Sequence, residues 1–468
     1  MTSSEQAIAI RRRWHHRPVR TGLILVASLA VAGGTYAWSA VRPTPPPSTA
    51  AVVIAPPGVA QAPSDVTAPN ANPGADRRSV DERIAFWTKR LDEQPSDFLS
   101  LIQLGVTYAE KGRLTADLDS YARASAAVDR ALRLSPEYPP AIKARGAIRF
   151  ALHDFPGAES DARGVLAKAP SDPDALAGLA DALLEEGKLQ EAHDTLGRLS
   201  AMASGPAVDV RLARLAYLRE NRSEAVTDAQ RAVNSSGDDD PTARGFYQFA
   251  LGEYARLDGE TEVARSAYRA ALGLRANDLG ALVGLARVEA ASGDVDGAIA
   301  RLQSAAAIAP QPETLALLGD LLATRGGDGD AAAAGDAYAT VRAVRQLNET
   351  AGTVYDRSLI MFELDHGGAT PDTLVAADRS EQDRPDAGGH DLLAWAHYRL
   401  GDYTEAQDEM SAALSTGIED GRMLFHAGAI DLALGAVDDG KALIREALAL
   451  GPALGPRDTS EARTLLAN

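Results

Sequence analysis

The chain has 468 residues, no cysteine and a formal net charge of −18, and its 45% hydrophobic content includes only 5% aromatic residues. Without cysteine there is no disulfide, no cysteine-ligated zinc, no thiol nucleophile and no lipidated cysteine anchor. A hydrophobic fraction made mostly of small aliphatic residues is typical of closely packed helices and not of a large mixed core.

The first 41 residues form two segments of opposite character. Residues 1–20 carry five arginines against Glu5 alone, and residues 21–41 run for 21 residues without a charge. That length spans a bilayer as a helix, and the preceding arginines favour a cytoplasmic N-terminus. We predict a basic cytoplasmic tail (1–20) and a single transmembrane helix (21–41) in the cytoplasmic membrane, with the rest outside. The alternative is a signal peptide cleaved after Ala37, which would leave a secreted protein.

Residues 42–78 are rich in proline and alanine, as in PTPPP, and contain no aromatic residue. Such a composition cannot bury enough apolar surface to fold, so we predict an extended, disordered linker. Residues 79–468 are predicted to form one helical array.

The array begins with an amphipathic helix over Ser79–Gln94, with Trp87 and Leu91 on one face and Pro95 ending it. We interpret this helix as an N-terminal cap. The first full repeat follows, and its closing proline, Pro136, lies about seven residues later than the repeat spacing described below requires. The extra residues predict a longer turn or a longer second helix around residues 112–118.

A regular spacing then runs through the chain. Gly146, Ala158 and Pro170 are twelve residues apart, and the same spacing recurs at Ala286, Ala298 and Pro310 and at Gly428, Gly440 and Pro452. Two small residues let two helix backbones approach closely, and proline ends the second helix. Self-similarity near 34 residues predicts a helical solenoid.

The pattern resembles the tetratricopeptide repeat (TPR), whose W-x₂-L-G-x₂-Y core is matched by Leu101, Leu104, Gly105 and Tyr108. The resemblance implies an all-α, TPR-type α-solenoid of about ten helix-turn-helix repeats. Repeats start near Pro139, Pro173, Pro206 and Pro312, the least regular section is 351–385, and a helix over 458–466 is predicted to cap the far end.

Residues that could carry chemistry do not converge. The His-Asp pairs at 153–154, 193–194 and 390–391 fall at three different repeat positions, and the RGGDGD turn at 325–330 lacks a full calcium ligand series. By resemblance, Lys143 matches a chaperone-peptide clamp, but Ala147 replaces its asparagine. We predict no enzymatic activity, no cofactor and no metal site.

The charge balance argues against one partner class. Beyond residue 20 the chain has 42 basic and 64 acidic residues. Because such a surface repels phosphate backbones, we predict no nucleic-acid partner.

In TPR arrays the first helix of each pair lines a concave groove. Transferring the family's groove positions places Glu253, Arg256, Tyr355 and Phe362 there, together with the residues that we predict to bind a partner: Arg214, Tyr217, Phe246, Phe249, Trp395, Tyr398, Arg399 and Phe425. Trp, Tyr and Arg dominate binding hot spots, so a pocket at Trp395, Tyr398 and Phe425, edged by Arg399 and Arg422, is the first candidate. The competing interpretation is packing between repeats.

These expectations describe a membrane-tethered, extracytoplasmic scaffold that binds a protein or peptide during assembly or maturation of an exported component. Two alternatives stay open: an extracytoplasmic hydrolase or carbohydrate-binding subunit, and a self-associating structural protein. The identity of the partner and the oligomeric state cannot be deduced from the sequence.

Overall fold

The computed structural model describes residues 78–115, 117–219, 221–237, 241–350, 357–383, 386–415 and 420–467. The predicted tail, membrane span and linker, apart from Arg78, lie outside the described residues. The described part is helical, without strands, and its α-helices are α1 (Val80–Glu93), α2 (Phe98–Thr115), α3 (Leu118–Leu134), α4 (Pro139–Ala151), α5 (Phe155–Lys168), α6 (Pro173–Glu185), α7 (Leu189–Ser200), α8 (Pro206–Leu218), α9 (Arg222–Ser235), α10 (Pro241–Leu257), α11 (Thr261–Leu274), α12 (Leu279–Ala291), α13 (Val295–Ile308), α14 (Pro312–Arg325), α15 (Asp330–Thr350), α16 (Arg357–Asp365), α17 (Pro371–Asp383), α18 (Ala387–Leu400), α19 (Tyr403–Leu414), α20 (Gly421–Ala433), α21 (Val437–Ala449) and α22 (Pro456–Ala467).

Helices α2 to α21 follow one another as ten pairs, so the predicted TPR-type α-solenoid is confirmed. The prolines predicted to open repeats, at positions 139, 173, 206 and 312, are the first residues of α4, α6, α8 and α14. Proline suits this position because its fixed φ is helical and the first helical amide needs no partner. The first helix of each pair is the even-numbered one.

Small residues bring the two helices of a pair into backbone contact, as the spacing predicts. A Cβ atom added at Gly428 would lie 2.8 Å from the carbonyl oxygen of Gly440. At Gly146 the corresponding contacts are 3.4 Å to the Cβ of Asp161 and 3.8 Å to the carbonyl oxygen of Ala158, which is looser. The register is therefore as predicted in both pairs, but only the C-terminal pair lacks space for a methyl group.

The long first repeat accommodates its extra residues in its helices. Helix α2 has 18 residues and α3 has 17, whereas α4 and α5 have 13 and 14. Before them, α1 is stabilised by a capping box between Ser79 and Glu82. Both helices of the repeat are longer, so the prediction of a long turn or second helix was incomplete.

The solenoid divides into two compact units. The N-terminal unit comprises residues 78–183 and 190–211 of the described part, and the C-terminal unit comprises residues 184–189 and 212–467. Within the N-terminal unit, ion pairs join successive repeats: Lys143 to Asp174 (2.8 Å) and Arg211 to Asp181 (2.8 Å). Lys143 thus serves a contact between repeats.

In the irregular section, α16 and α17 form a pair, and the helix predicted over 356–364 is present as α16. The RGGDGD turn is a structural joint. Gly326 ends α14 in the left-handed conformation, and Arg325 holds Asp330 at the start of α15 with contacts of 2.7 and 2.8 Å. Among the described helices, none has the length and apolar character needed to cross a membrane.

Candidate partner-binding groove

Residues 451–467, here called the C-terminal segment, lie against first helices of the C-terminal unit. The short 3₁₀ turn Gly451–Ala453 contacts α10 and α12, and α22 contacts α14, α20 and α21. The surface that α10, α12, α14, α18 and α20 present to this segment is called the groove. The predicted capping helix does pack on the last pair through α21, but it also reaches back to α14.

Helix α22 is amphipathic. Its face toward the groove has the helical spacing i, i+3, i+4, i+7, i+8, and its members are Asp458, Glu461, Ala462, Leu465 and Leu466. The opposite face consists of the exposed Ser460, Arg463 and Thr464. The groove therefore contacts two carboxylates and a short apolar strip.

Arginine–carboxylate pairs hold α22 in place. Both terminal nitrogens of Arg399 donate to Glu461, at 2.9 and 2.8 Å. Arg422 lies with its Nε 3.3 Å from Asp458 and also donates to Asp365 of α16. Bidentate arginine pairs fix orientation as well as contributing energy, so they define how the helix lies in the groove.

A third arginine contacts the backbone of the C-terminal segment. Arg256 of α10 donates to the carbonyl oxygen of Pro452 at 3.2 Å and to the carboxylate of Glu253 at 2.9 Å. Tyr268 donates its hydroxyl hydrogen to the same carboxylate. Burial alone would raise the pKa of Glu253, but the charge of Arg256 and these hydrogen bonds lower it. Glu253 thus stays ionised and positions Arg256.

Beneath Arg399 lies a buried stack of rings. Trp395 stacks on Tyr398 (ring centroids 4.7 Å apart) and on His426 (3.8 Å), and its indole N–H donates to Asp365 at 2.9 Å. The Nδ1 of His426 lies 2.7 Å from Asp391. Burial would raise the pKa of Asp365, but the charge of Arg422, the charge of His426 and the indole hydrogen bond lower it. The ring stack therefore helps to keep Asp365, the carboxylate partner of Arg422, ionised.

The structure brings the first predicted candidate set together, but not as an open pocket. Trp395 and Phe425 have 0% of their surfaces exposed, with ring centroids 5.7 Å apart. Tyr398 and Arg399 are half-buried. Trp395 and Phe425 fill the space between α18 and α20, whereas Arg399 faces the groove. A partner-binding role for these residues stays a prediction, and in this structure Arg399 is the member placed to make direct contact.

The second candidate set is buried as well: Arg214, Tyr217, Phe246 and Phe249. Arg214 pairs with Glu185 at 3.0 Å. Burial, with the nearby charge of Asp420, raises the pKa of Tyr217 to about 12. The ring of Phe249 occupies space beside Gly280, where a Cβ atom would be only 2.7 Å from it. These side chains pack between helices.

Two of the predicted groove positions remain, Phe362 and Tyr355. Phe362 is buried beside Tyr338, and Tyr355 lies outside the described residues. The sequence interpretation missed Asp458, Glu461 and Arg287. The two carboxylates follow an amphipathic spacing over residues 458–466 that could have shown which face of the last helix is buried.

The three His-Asp pairs do not come together. His153 has a positive φ of 63° in the turn before α5, and its ring stacks on Phe155. His390 bonds Glu409 between α18 and α19. Within the described ranges, no group of three or more His, Asp or Glu side chains is placed to hold a metal ion.

Family comparisons agree with this architecture. Models described as tetratricopeptide repeat match residues 149–215 and 255–321, and a further such model matches residues 392–454. Together with the ten helix pairs, these matches show that the chain contains tetratricopeptide repeats arranged as a TPR-type α-solenoid.

One curated relative is the cellulose synthase operon protein C of Pseudomonas fluorescens, 32% identical over 151 residues, which are 31% of this chain. The match spans only 12% of that relative's length. Among solved structures, a tetratricopeptide repeat protein from Parabacteroides merdae is 13% identical, with coverage of 49% of this chain and 87% of that one and a TM-score of 0.39. The human IFIT1 dimer with PPP-AAAA is 16% identical, with coverage of 69% and 73% and a TM-score of 0.45.

Proposed function

We propose that this protein is a TPR scaffold that binds a protein or peptide partner in the groove of its C-terminal unit, without catalysing a reaction. One observation carries the proposal. The groove already holds a helical segment, through two arginine–carboxylate contacts and an arginine–carbonyl hydrogen bond. A surface that orders a helix of its own chain has the geometry for helix-in-groove recognition of another chain.

The proposal includes a location. The uncharged stretch at residues 21–41 and the arginines before it support a single-pass tether in the cytoplasmic membrane, with the repeats outside. The scaffold would then serve an exported component during its assembly or maturation. The likeness to part of a cellulose synthase operon protein makes a polysaccharide-synthesis machine one such component to test.

Photocrosslinking in the source cells tests the binding proposal. Thr324 is exposed at the end of α14, beside Thr459 and Arg463 of α22. A photoreactive amino acid at Thr324 of the full chain should crosslink to a partner protein. The matched control is Val375 on the second helix α17, which is 64% exposed and should give no such product. Absence of any crosslinked protein at Thr324, in a normally folded chain, would overturn the proposal.

The location has its own test. A reporter that is active only outside the cytoplasm should work when fused after Ser79, and the mature protein should begin before residue 21. A mature N-terminus near Trp38 would show cleavage and would remove the tether while leaving the binding proposal intact.

A further inference from the structure

The groove has more hydrogen-bond donors than the C-terminal segment satisfies. In the described part of the chain, the buried Nε atoms of Arg256 and Arg399 have no hydrogen-bond acceptor, although each residue has another partner, and the Nε of Arg422 lies 3.3 Å from Asp458 without forming a hydrogen bond. Each such donor left without an acceptor costs free energy. A segment with more acceptors would therefore bind more favourably than the chain's own.

A fourth arginine is even less well matched. Arg287 of α12 is half-buried, and no carboxylate of the described residues forms an ion pair with it. Burial and the positive charges of Arg256 and Arg422 lower the pKa of Arg287, and the nearby charge of Glu253 only partly opposes them. Arg256 and Arg422 have carboxylate partners in Glu253 and Asp365, so Arg287 is the arginine of this group that lacks an ion pair within the described residues.

The surroundings of Asp458, the first groove-side carboxylate of α22, disfavour its charged form. Asp458 is buried, and burial together with the charges of Asp365 and Asp320 raises its pKa despite the opposing charge of Arg422. Arg422 also keeps its contact with Asp365 when α22 is absent. Arg422 therefore still has a counter-charge when α22 leaves the groove.

Helix α22 is also only weakly held by features other than its ion pairs. It has 12 residues, a length at which an isolated helix is marginal in water. Gly451, with a φ of +55°, and Gly455 lie between it and α21, so the connection can change direction. Of its apolar groove-side residues only Ala462 is fully buried, while Leu465 and Leu466 are half-buried.

We propose that the C-terminal segment is an internal competitor for the groove, and that the groove's partner is a more acidic amphipathic helix that displaces it. The partner helix would carry carboxylates three residues apart, as Asp458 and Glu461 are, and at least one additional carboxylate for Arg287. This inference rests on the proposed function and adds the chemistry of the partner and the regulation of its binding.

The first test measures competition. The probe is a fluorescein-labelled peptide of residues 451–468, and its binding by anisotropy is compared between the full chain and the chain ending at Leu450. Because a tethered segment acts at an effective concentration near the millimolar range, the shortened chain should bind the probe roughly tenfold to a hundredfold more tightly. Full-length Glu461→Lys, which repels Arg399, is the second variant in case the shortened chain unfolds. Equal affinity of the full chain and Glu461→Lys would overturn the proposal.

The second test measures the preference for acidic helices. A peptide with Asp458→Asn and Glu461→Gln should bind at least tenfold more weakly. A peptide with an added carboxylate at Gly455, three residues before Asp458, should bind more tightly than one with the same charge on the exposed face, at Ser460. Arg287→Gln in the protein should remove that difference. Equal binding of all these peptides would overturn the proposal.

Hydrogen exchange then shows whether displacement occurs in the full chain. Saturating acidic probe should speed amide exchange in α22 while α14 and α20 keep their protection. Unchanged exchange of α22 with the probe bound would refute displacement. If a partner crosslinks at Thr324 and the acidic peptide does not compete with it, this inference alone is wrong. If no partner crosslinks at Thr324, the proposed function is wrong.

Discussion

The close contact between Gly428 and Gly440 can be tested by adding one methyl group. In Gly428→Ala the new Cβ would lie 2.8 Å from the carbonyl oxygen of Gly440 and 2.6 Å from the Cγ1 of Ile444. The carbonyl belongs to the α21 backbone and cannot rotate away, so α20 and α21 must separate. Overpacking costs about 1–3 kcal/mol, and the better helix propensity of alanine offsets up to about 1 kcal/mol. We expect a net loss of about 1–2 kcal/mol.

Hydrogen exchange by mass spectrometry measures this loss locally, which suits a repeat protein whose parts unfold separately. Peptides from α20 and α21 should exchange about five- to thirtyfold faster than in the unmodified chain. Gly335→Ala is the matched control, since Gly335 is exposed in α15 and a Cβ there has no neighbour within 4 Å. The control should gain stability. Full protection of α20 and α21 in Gly428→Ala, with the control behaving as expected, would refute the contact.

Three further predictions concern packing and pH. Ala158→Leu should cost the N-terminal unit about 1–3 kcal/mol, seen as a lower melting temperature; an unchanged melt would mean that the register of this pair is wrong. Trp395→Ala should reduce the free energy of unfolding by about 3–5 kcal/mol, so its helical circular-dichroism signal should be lost at a lower temperature than in the unmodified chain. An unchanged melting curve would contradict the burial of Trp395. Burial would lower the pKa of His390, but the hydrogen bond and charge of Glu409 and the charge of Glu381 raise it. The stabilisation is therefore complete below the unfolded pKa of about 6.5 and is lost as the pH rises through the higher folded value. The protection factor of α18, which is its exchange rate relative to the intrinsic rate at the same pH, should be smaller at pH 8 than at pH 6, and His390→Gln should remove that difference.

The repeat architecture could be predicted because its determinants are local. Pro139, Pro173 and Pro206 open helices for a reason that lies in the proline ring itself, and the twelve-residue spacing of Gly428 and Gly440 follows from the pitch of two packed helices. Neither feature depends on distant parts of the chain. A single sequence therefore specifies them.

The contents of the groove could not be predicted in the same way. Trp395 and Phe425 occupy first-helix positions that the family resemblance assigns to the groove, but their burial depends on neighbouring helices and on a segment far along the chain. The contact between Arg399 and Glu461 spans 62 residues, and no periodic pattern encodes it. Arg399 and Arg422 were predicted at the edge of the site because a cation beside aromatic rings is recognisable in the sequence; their carboxylate partners were not.

The hydrogen bond between Arg256 and Pro452 joins residues 196 positions apart, which gives the C-terminal unit a contact that ordinary nearest-neighbour stacking lacks. At 5–20 residues per second, Arg256 emerges from the ribosome roughly 10–40 s before the carbonyl group that accepts its hydrogen bond. During that interval the arginines of α10 and α12 are present without the segment that later covers them. Under the proposed competition, a partner that encounters the chain while it is being synthesised would meet no competitor, whereas one that arrives later would first have to displace α22.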